Sequence, residues 1–359
     1  MPIHSLLVNP VTPDPSRGAE STTARGGYAG IYPDEVPRRP RSQRRRPPLP
    51  VRDGTGPSRV RMPPEIGRAP GAAAESAPPA TIAAYLAARF PVDADRIAEK
   101  IAAGEVVDAD GVPVTARTPF EPGAEVFYYR DPPREDPVPF GLRVLHRDER
   151  LLVVDKPHFL ASMPRGRHIA ETALVRLRRS TGIDAVAPAH RLDRLTAGVL
   201  VFTVDPGVRR AYQELFAAGE VRKTYEAVCA APPSVPLPAV LRSRIVKDRG
   251  VHRAYETPGA PNAETAVERA PGGEHVRVRV RPATGKTHQI RVHLASIGAP
   301  IMWDPLYGTD PDPDPADGDD AARPDFSRPL QLLARSLEFT DPFTGARRRF
   351  VSERALELW

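Results

Sequence analysis

The stretch "HRLDRLTAGVLVF", residues 190–202, joins a polar cluster directly to an apolar run. One histidine, two arginines and one aspartate occupy its first five positions, and the apolar run that follows is typical of a buried β-strand. Asp193 is either a structural loop residue bound by Arg191 and Arg194, or a reactive carboxylate that these arginines keep ionised beside an anionic substrate. The segments around this stretch decide between the two interpretations.

Strand patterns dominate the chain around this stretch. "LLVVDKP" (151–157) and "RKTYEAVCA" (222–230) are largely apolar, and "HVRVRVRP" (275–282) alternates apolar and polar residues, as a strand with one buried face does. Apolar residues at helical spacing predict helices that end near Gly182, Gly219 and Gly298. Runs of strands with few helices between them predict an α+β domain over residues 140–359, with a mostly antiparallel or mixed sheet.

The first 80 residues have a different composition. Many of the chain's 44 prolines lie there, and "RRPRSQRRRPPLP" (38–50) adds a run of like charge, so residues 1–80 are predicted to be a disordered arm. Two interpretations of the arm stay open. It is an RNA-binding tail, or it is an extension without function, including a mis-annotated start with translation beginning at Met62.

A small module is predicted between the arm and the large domain. "TIAAYLAARF" and "DADRIAEKIAAG" each carry one helix, and "EVVDADGVPV" predicts a hairpin around Asp110 and Gly111. Two helices followed by a hairpin resemble the S-four-type RNA-binding domain, named after a small-subunit ribosomal protein. The resemblance covers residues 81–130 and implies RNA binding, whereas the alternative is a small packing module. Proline and charge over 131–139 predict a linker.

Composition narrows the class of protein. A net charge of +6 and a pI near 9.6 favour a polyanionic partner. One cysteine excludes an internal disulfide or a multi-cysteine metal site, and no apolar run has the length of a membrane span, so a soluble cytoplasmic protein is expected. The chain has only five lysines, and three of them, Lys156, Lys223 and Lys286, lie in the polar stretches "DKP", "RKTY" and "TGKTHQIRVH". This suggests a need for a compact ammonium at those positions.

Three other chemistries fit the sequence poorly. His288 and His293 are five residues apart, which does not place both rings on one helical face, so no metal site is predicted. "PATGKTHQ" lacks the first glycine of a phosphate-binding loop, and no G-x-S-x-G stretch supports a serine nucleophile.

Several motifs together resemble one family. "LLVVDKP", "HRLDRLTAGVLVF", "RKTYEAV", "TGKTHQIRVHLASIGAPIMWDPLYG" and "LQLLARSLEFTDPFTG" occur in the order found in the RluA-type pseudouridine synthases, over about residues 142–352. The resemblance implies an isomerase that converts uridine to pseudouridine in ribosomal or transfer RNA without a cofactor. The alternative is a non-catalytic RNA-binding or ribosome-associated protein that retains the synthase fold.

The resemblance also implies roles for particular residues. It makes Asp193 the catalytic carboxylate, Tyr225 the aromatic residue beside the base, Arg291 the partner of the aspartate, and Arg191 the residue that helps to displace the target base. Lys156 and Lys286 are predicted to contact RNA or the base. An arginine beside a carboxylate keeps it ionised, and a tyrosine offers a flat face to a base removed from its stack.

Two positions depart from the family pattern. Ala197 stands where the family usually has serine, and "HFLASMPRG" (158–166) replaces the usual apolar pair and His-Pro-Gly after "DKP". The second change lies on the substrate-facing side of the expected cleft, and it bears on which RNA is recognised.

Overall fold

The computed structural model describes residues 47–63, 79–131, 135–166, 168–248, 251–309 and 325–359. Its helices are α1 (Ile82–Arg89), α2 (Ala94–Ala102), α3 (Ala173–Thr181), α4 (Arg209–Ala218) and α5 (Gln289–Ser296). Its strands are β1 (Ser58–Arg61), β2 (Val107–Asp108), β3 (Glu125–Tyr128), β4 (Arg143–Arg147), β5 (Leu151–Lys156), β6 (Ala187–Pro188), β7 (Ala197–Thr203), β8 (Arg222–Cys229), β9 (Ala239–Val246), β10 (Tyr255–Thr257), β11 (Ala263–Arg269), β12 (Val276–Pro282), β13 (Leu332–Thr340) and β14 (Arg347–Val351).

The amino-terminal module has a core of its own. Its three-stranded sheet, in the order β1-β3-β2, packs with α1 and α2 around Met62, Leu86 and Val126, which are fully buried. Helix α1 begins at Thr81, whose hydroxyl accepts a hydrogen bond from the Ala84 amide, as an N-cap residue does. The two predicted helices are present.

The prediction of a disordered arm over 1–80 is wrong for residues 47–63. Strand β1 pairs antiparallel with β3, because Val60 and Met62 point towards the module core while Arg59 and Arg61 face solvent. Strand β1 precedes Met62, so a chain that began at Met62 would lack this strand. The parts of the predicted arm at 1–46 and 64–78 lie outside the described residues.

The segment before β1 also packs on the large domain. Arg178 and Arg179 in α3 donate hydrogen bonds to the carbonyl oxygens of Gly54 (3.2 Å) and Asp53 (3.0 Å), and Arg179 pairs with the Asp53 carboxylate. The described part of the predicted linker is packed too. The Glu135 carboxylate accepts hydrogen bonds from the three successive amides of residues 169–171, and Val138 is buried. Within the predicted linker 131–139, residues 135–138 therefore dock on the large domain.

The large domain is built on an eleven-stranded mixed sheet. Its order is β10-β9-β11-β12-β8-β13-β7-β5-β4, with β14 beside β13 and β6 beside β7. Strand β13 runs parallel to β7, and the other described pairs are antiparallel. Helices α3 and α5 cover one face and α4 covers the other, because alternate strand residues point to opposite faces. The α+β prediction is confirmed.

One register row crosses the centre of this sheet. Lys156 in β5 pairs with Gly198 in β7, Gly198 with Ala334 in β13, and Ala334 with Tyr225 in β8. Gly198 has a positive φ of 114°, and a Cβ there would lie 2.2 Å from the Ala334 carbonyl oxygen. Only glycine fits this close approach, which explains the glycine five residues after Asp193.

Cys229, at the end of β8, is buried in the core beneath α5. Burial raises the pKa of its thiol to about 12. Among the described residues, no helix combines the length and the apolar composition that crossing a membrane requires.

Candidate active site

The loop between β6 and β7 presents Asp193 beside the central register row. A hydrogen bond from the Thr196 amide to the Asp193 carbonyl (3.1 Å) closes the loop into a turn. The charge of Asp193 affects the pKa values of Tyr225, Arg291 and His288, so the carboxylate lies within electrostatic range of these side chains. No side chain in the described ranges forms a hydrogen bond or ion pair with this carboxylate, and Asp193 is partly exposed.

Three side chains from the end of β5 and the segment after it hold the main chain around Asp193. The Ser162 hydroxyl donates to the Leu192 carbonyl (2.7 Å) and accepts from the Leu192 amide (3.0 Å). His158 donates from Nδ1 to the Leu195 carbonyl (2.7 Å), and Lys156 donates to the Arg194 carbonyl (3.2 Å). The main chain is thus fixed on both sides of Asp193.

The prediction that Lys156 contacts RNA or the base is wrong. Its side chain is completely buried, and its other two ammonium protons go to the carbonyl oxygens of Pro157 (2.9 Å) and Leu160 (2.7 Å). Burial lowers the pKa of Lys156 well below its usual value, although the charge of Asp193 opposes the shift. Sequence reasoning took this lysine for a free cation because a buried ammonium leaves no local pattern.

His190 is structural. Its Nε2 accepts a hydrogen bond from the Val201 amide in β7 (3.1 Å), and its ring stacks on Phe216 with 4.2 Å between centroids. Burial, helped by the charge of Lys223, lowers the pKa of His190 to about 3, so the ring is neutral. The first residue of the motif therefore anchors the loop to the sheet.

Tyr225 lies where the two large cores on this face of the sheet meet. Its half-buried ring packs against the cluster beneath α3 and against the cluster beneath α5, as Leu195 does. Burial and then the negative charge of Asp193 raise the pKa of the Tyr225 phenol. The hydroxyl is therefore protonated at neutral pH, and the ring lies within electrostatic range of the Asp193 carboxylate.

Arg291 forms its ion pair with Asp304. Its Nε and Nη2 donate to the two carboxylate oxygens at 2.7 and 2.6 Å, and both side chains are almost fully buried. Burial opposes the charged form, but the hydrogen bond and charge of Asp304 raise the pKa of Arg291. Asp193 contributes a smaller effect of the same sign. Arg291 therefore forms no hydrogen bond or ion pair with Asp193, the partner that was predicted for it, and it acts on that carboxylate only through its charge.

The segment 304–308 is the part of the site that sequence reasoning missed. Asp304 also accepts hydrogen bonds from the amides of Leu306 (2.9 Å) and Tyr307 (3.1 Å). The Cζ atom of Arg291 lies over the Tyr307 ring, 5.0 Å from the ring centroid. The Tyr307 hydroxyl lies 2.9 Å from Nδ1 of His288. The available signal was an aspartate and a tyrosine within the quoted family motif "DPLYG".

The remaining predicted residues, Lys286 and Arg191, have exposed side chains. Lys286 lies in a turn that Gln289 fixes, because the buried Gln289 amide oxygen accepts from the Lys286 backbone amide (3.0 Å) and from the Thr284 hydroxyl (2.8 Å). Arg191 lies two residues before Asp193. Within the described ranges, no group of three His, Cys, Asp or Glu side chains is arranged to hold a metal ion.

The region that contains most of these site residues is similar in sequence to known proteins. Residues 150–296 match the family model of RNA pseudouridylate synthases. The chain is 33% identical over 213 residues to an uncharacterised RNA pseudouridine synthase of Synechocystis, covering 58% of this chain and 73% of that protein. It is 31% identical over 183 residues to the dual-specificity RNA pseudouridine synthase RluA of Salmonella typhi, covering 50% of this chain and 81% of that protein.

A third relative is longer. The mitochondrial tRNA pseudouridine(32) synthase of Saccharomyces cerevisiae is 32% identical over 174 residues, which are 47% of this chain and 37% of that protein. In all three relatives the likeness covers roughly half of this chain. The matched region contains Asp193, Tyr225 and Arg291. The chain is 33% and 31% identical to the Synechocystis and Salmonella typhi proteins, and the likeness covers more than two thirds of each. The chain therefore belongs to the RNA pseudouridine synthase family.

Proposed function

We propose that this protein isomerises uridine to pseudouridine in ribosomal or transfer RNA, with Asp193 as the catalytic carboxylate. The observation that supports the proposal is the Asp193 carboxylate, which lies on a loop with a fixed main chain, is unpaired among the described residues and is within electrostatic range of Tyr225. The names of the relatives, which include a tRNA pseudouridine(32) synthase and a dual-specificity RNA pseudouridine synthase, support an RNA substrate. A cytoplasmic location stays a prediction from composition.

The reaction needs no oxidant and no hydrolysis. The bond between ribose C1′ and uracil N1 breaks, the base turns, and a bond forms between C1′ and C5. C5 loses its proton and N1 gains one, so atoms and electrons balance. An ionised carboxylate serves this sequence by covalent attack on the sugar or base, or by stabilising and deprotonating a sugar intermediate. Both routes start from the unpaired carboxylate of Asp193.

Release of tritium from RNA labelled at uracil C5 tests the activity. The wild-type protein should release it, whereas the non-catalytic RNA-binding alternative predicts RNA binding without release. Mapping pseudouridines in total RNA from cells with and without the gene then names the modified uridine. Absence of both tritium release and a lost site would leave the RNA-binding alternative.

Tyr225→Phe should slow tritium release about 10-fold while RNA affinity stays unchanged. The phenylalanine ring keeps the packing against both cores and the face for the base, but it lacks the hydroxyl group. Tyr225→Ala should also weaken binding, because the ring face is lost. Single-turnover rates and RNA affinity separate the two effects. Full activity of the phenylalanine variant would leave stacking as the only role of Tyr225.

Ser162→Ala should lower the single-turnover rate about 10-fold at saturating RNA, with little change in RNA affinity. The change leaves the buried amide and carbonyl of Leu192 without their partner, so the Asp193 loop loses part of its support. Ser180→Ala is the control, because that residue is exposed and its hydroxyl donates only to the Leu177 carbonyl of its own helix. Ser162→Thr, which retains a hydroxyl, should recover part of the rate. Equal rates for Ser162→Ala and Ser180→Ala would remove Ser162 from the support of the loop.

RNA contact is proposed for the exposed cations Arg191 and Lys286 and for the amino-terminal module. Within the module, Arg96 and Lys100 of α2 are occupied by acids, since both bind Asp131. Arg61 and Arg117 are exposed, and among the described residues neither forms an ion pair. If the module binds phosphate, alanine at both positions should reduce the slope of log affinity against log salt concentration by about two, because two fewer counterions are released. If the module only packs, the slope should not change.

A further inference from the structure

His288 has an unusual backbone conformation next to the candidate site. Its φ is 57°, in the left-handed region that residues with a Cβ rarely adopt. The described residues include three other non-glycine positions with positive φ, Asp53, Phe159 and Trp303. Phe159 follows Lys156 by three residues and Trp303 precedes Asp304, so three of these four positions lie in segments that build the site. Backbone strain of this kind persists where the surrounding structure enforces it, and it clusters at functional sites.

The hydrogen-bond network fixes which nitrogen of His288 carries the proton. Tyr307 Oη donates to the carbonyl of Ala254 (3.0 Å) and accepts from the Ala254 amide (2.7 Å), and Nδ1 of His288 lies 2.9 Å from the same oxygen. Ala254 is buried, so its carbonyl would lose this partner if the hydroxyl proton pointed to His288 instead. The hydroxyl proton therefore goes to Ala254, and Nδ1 of His288 donates to Tyr307.

The other ring nitrogen, Nε2, is then a lone-pair acceptor. Burial lowers the pKa of His288 to about 4, although the negative charge of Asp193 acts in the opposite direction, so the ring is neutral at neutral pH. No described residue forms a hydrogen bond with Nε2. The ring is oriented by Tyr307, which is itself held by Ala254, the residue that precedes β10. The charge of Asp193 acts on the same ring.

We propose that Nε2 of His288 accepts a hydrogen bond from the target uridine, which makes His288 a residue that selects the nucleotide. The inference deepens the proposed function and rests on it. A uridine offers two donors near its glycosidic bond and base edge, the N3–H of uracil and the 2′-hydroxyl of ribose. Either donor would pair with an uncharged acceptor, and the N3–H would also distinguish uracil from cytosine, whose N3 is an acceptor.

The test measures RNA affinity rather than turnover. The protein with His288 and its variants are both placed in the Asp193→Asn background, and the probes are three synthetic RNAs containing the mapped uridine, with uridine, 3-methyluridine or 2′-deoxyuridine at the target. His288→Asn keeps an N–H donor for Tyr307, tolerates the left-handed conformation and lacks the distal acceptor. We expect it to weaken binding of the uridine RNA about 10-fold. One modified RNA should bind equally well with and without the His288→Asn change, and that RNA lacks the donor that His288 contacts.

A second substitution, His288→Gly, removes the ring and suits the positive φ, so a loss of affinity there does not come from strain. It should reproduce the pattern of the three RNAs. Equal losses for all three RNAs, or no loss with the uridine RNA, would overturn the proposal and leave His288 as a support for Tyr307. Failure of the proposed function is a separate result, because the wild-type protein would then release no tritium whatever the affinities of the His288 variants.

Discussion

We expect Asp193→Asn to lower the rate of pseudouridine formation by about 10⁴-fold or more while the protein stays folded and binds RNA. Asparagine has the shape of aspartate but is neither a nucleophile nor a base at neutral pH. The Asp193 carboxylate makes no hydrogen bond or ion pair with the described residues, so its replacement removes no contact that holds the fold. Its main-chain support from Lys156, His158 and Ser162 is unaffected by the change.

Single-turnover tritium release, thermal unfolding and RNA affinity check this expectation together. Asp184→Asn is the matched control, because Asp184 is an exposed aspartate of the same domain in the loop between α3 and β6. It should leave all three measurements unchanged. Turnover by Asp193→Asn within about 10-fold of wild type would contradict the catalytic assignment. A fall in unfolding temperature equal to that of a core variant would instead indicate a structural role for Asp193.

Asp304→Asn should destabilise the protein by about 3–5 kcal/mol, because it leaves the buried guanidinium of Arg291 without a counter-charge. Asparagine retains an oxygen that can accept from the amides of Leu306 and Tyr307, so the effect isolates the lost charge. Activity should fall as well, since Arg291, whose guanidinium lies over the Tyr307 ring, loses its fixed position. Denaturant unfolding of the full chain, with the midpoint and slope both recorded, gives the change in free energy.

An exposed pair supplies the control for this prediction. Glu214→Gln breaks the Arg210–Glu214 contact (2.6 Å) on α4, where both side chains are more than half exposed, and it should change stability by less than about 0.5 kcal/mol. The double change Arg291→Met with Asp304→Leu should be less destabilised than Asp304→Asn alone, because no unpaired charge remains in the core. Equal stability of Asp304→Asn and Glu214→Gln would show that Arg291 finds another partner.

Sequence patterns predicted those parts of the fold that short-range physics specifies. Helices α3 and α4 end at Gly182 and Gly219, both in the left-handed conformation that favours glycine after a helix. The strand patterns of β5, β8 and β12 follow from apolar runs and alternation. The order of strands in the sheet was not predicted, because pairing joins residues far apart in the chain, as Ala334 joins Gly198.

Long-range contacts also explain what was wrong or missed at the site. Lys156 looks like any strand-end lysine in sequence, and only the folded chain brings three carbonyl oxygens to its ammonium. Asp304 became visible only as the partner of Arg291, thirteen residues away. Strand β1 was assigned to the arm because its four residues are surrounded by proline and charge, and its partner β3 begins 64 residues after β1 ends (125 − 61).

Cys229 gives this protein a practical property. It is the chain's one cysteine, it is buried, and a thiol with a pKa of about 12 carries almost no thiolate at neutral pH. A cysteine introduced by Lys286→Cys or Arg191→Cys would therefore be the one thiol that reacts readily with a maleimide dye or a photo-crosslinker. Labels attached in this way would report the approach of RNA to the Asp193 loop and to the turn before α5 without any prior removal of native cysteines.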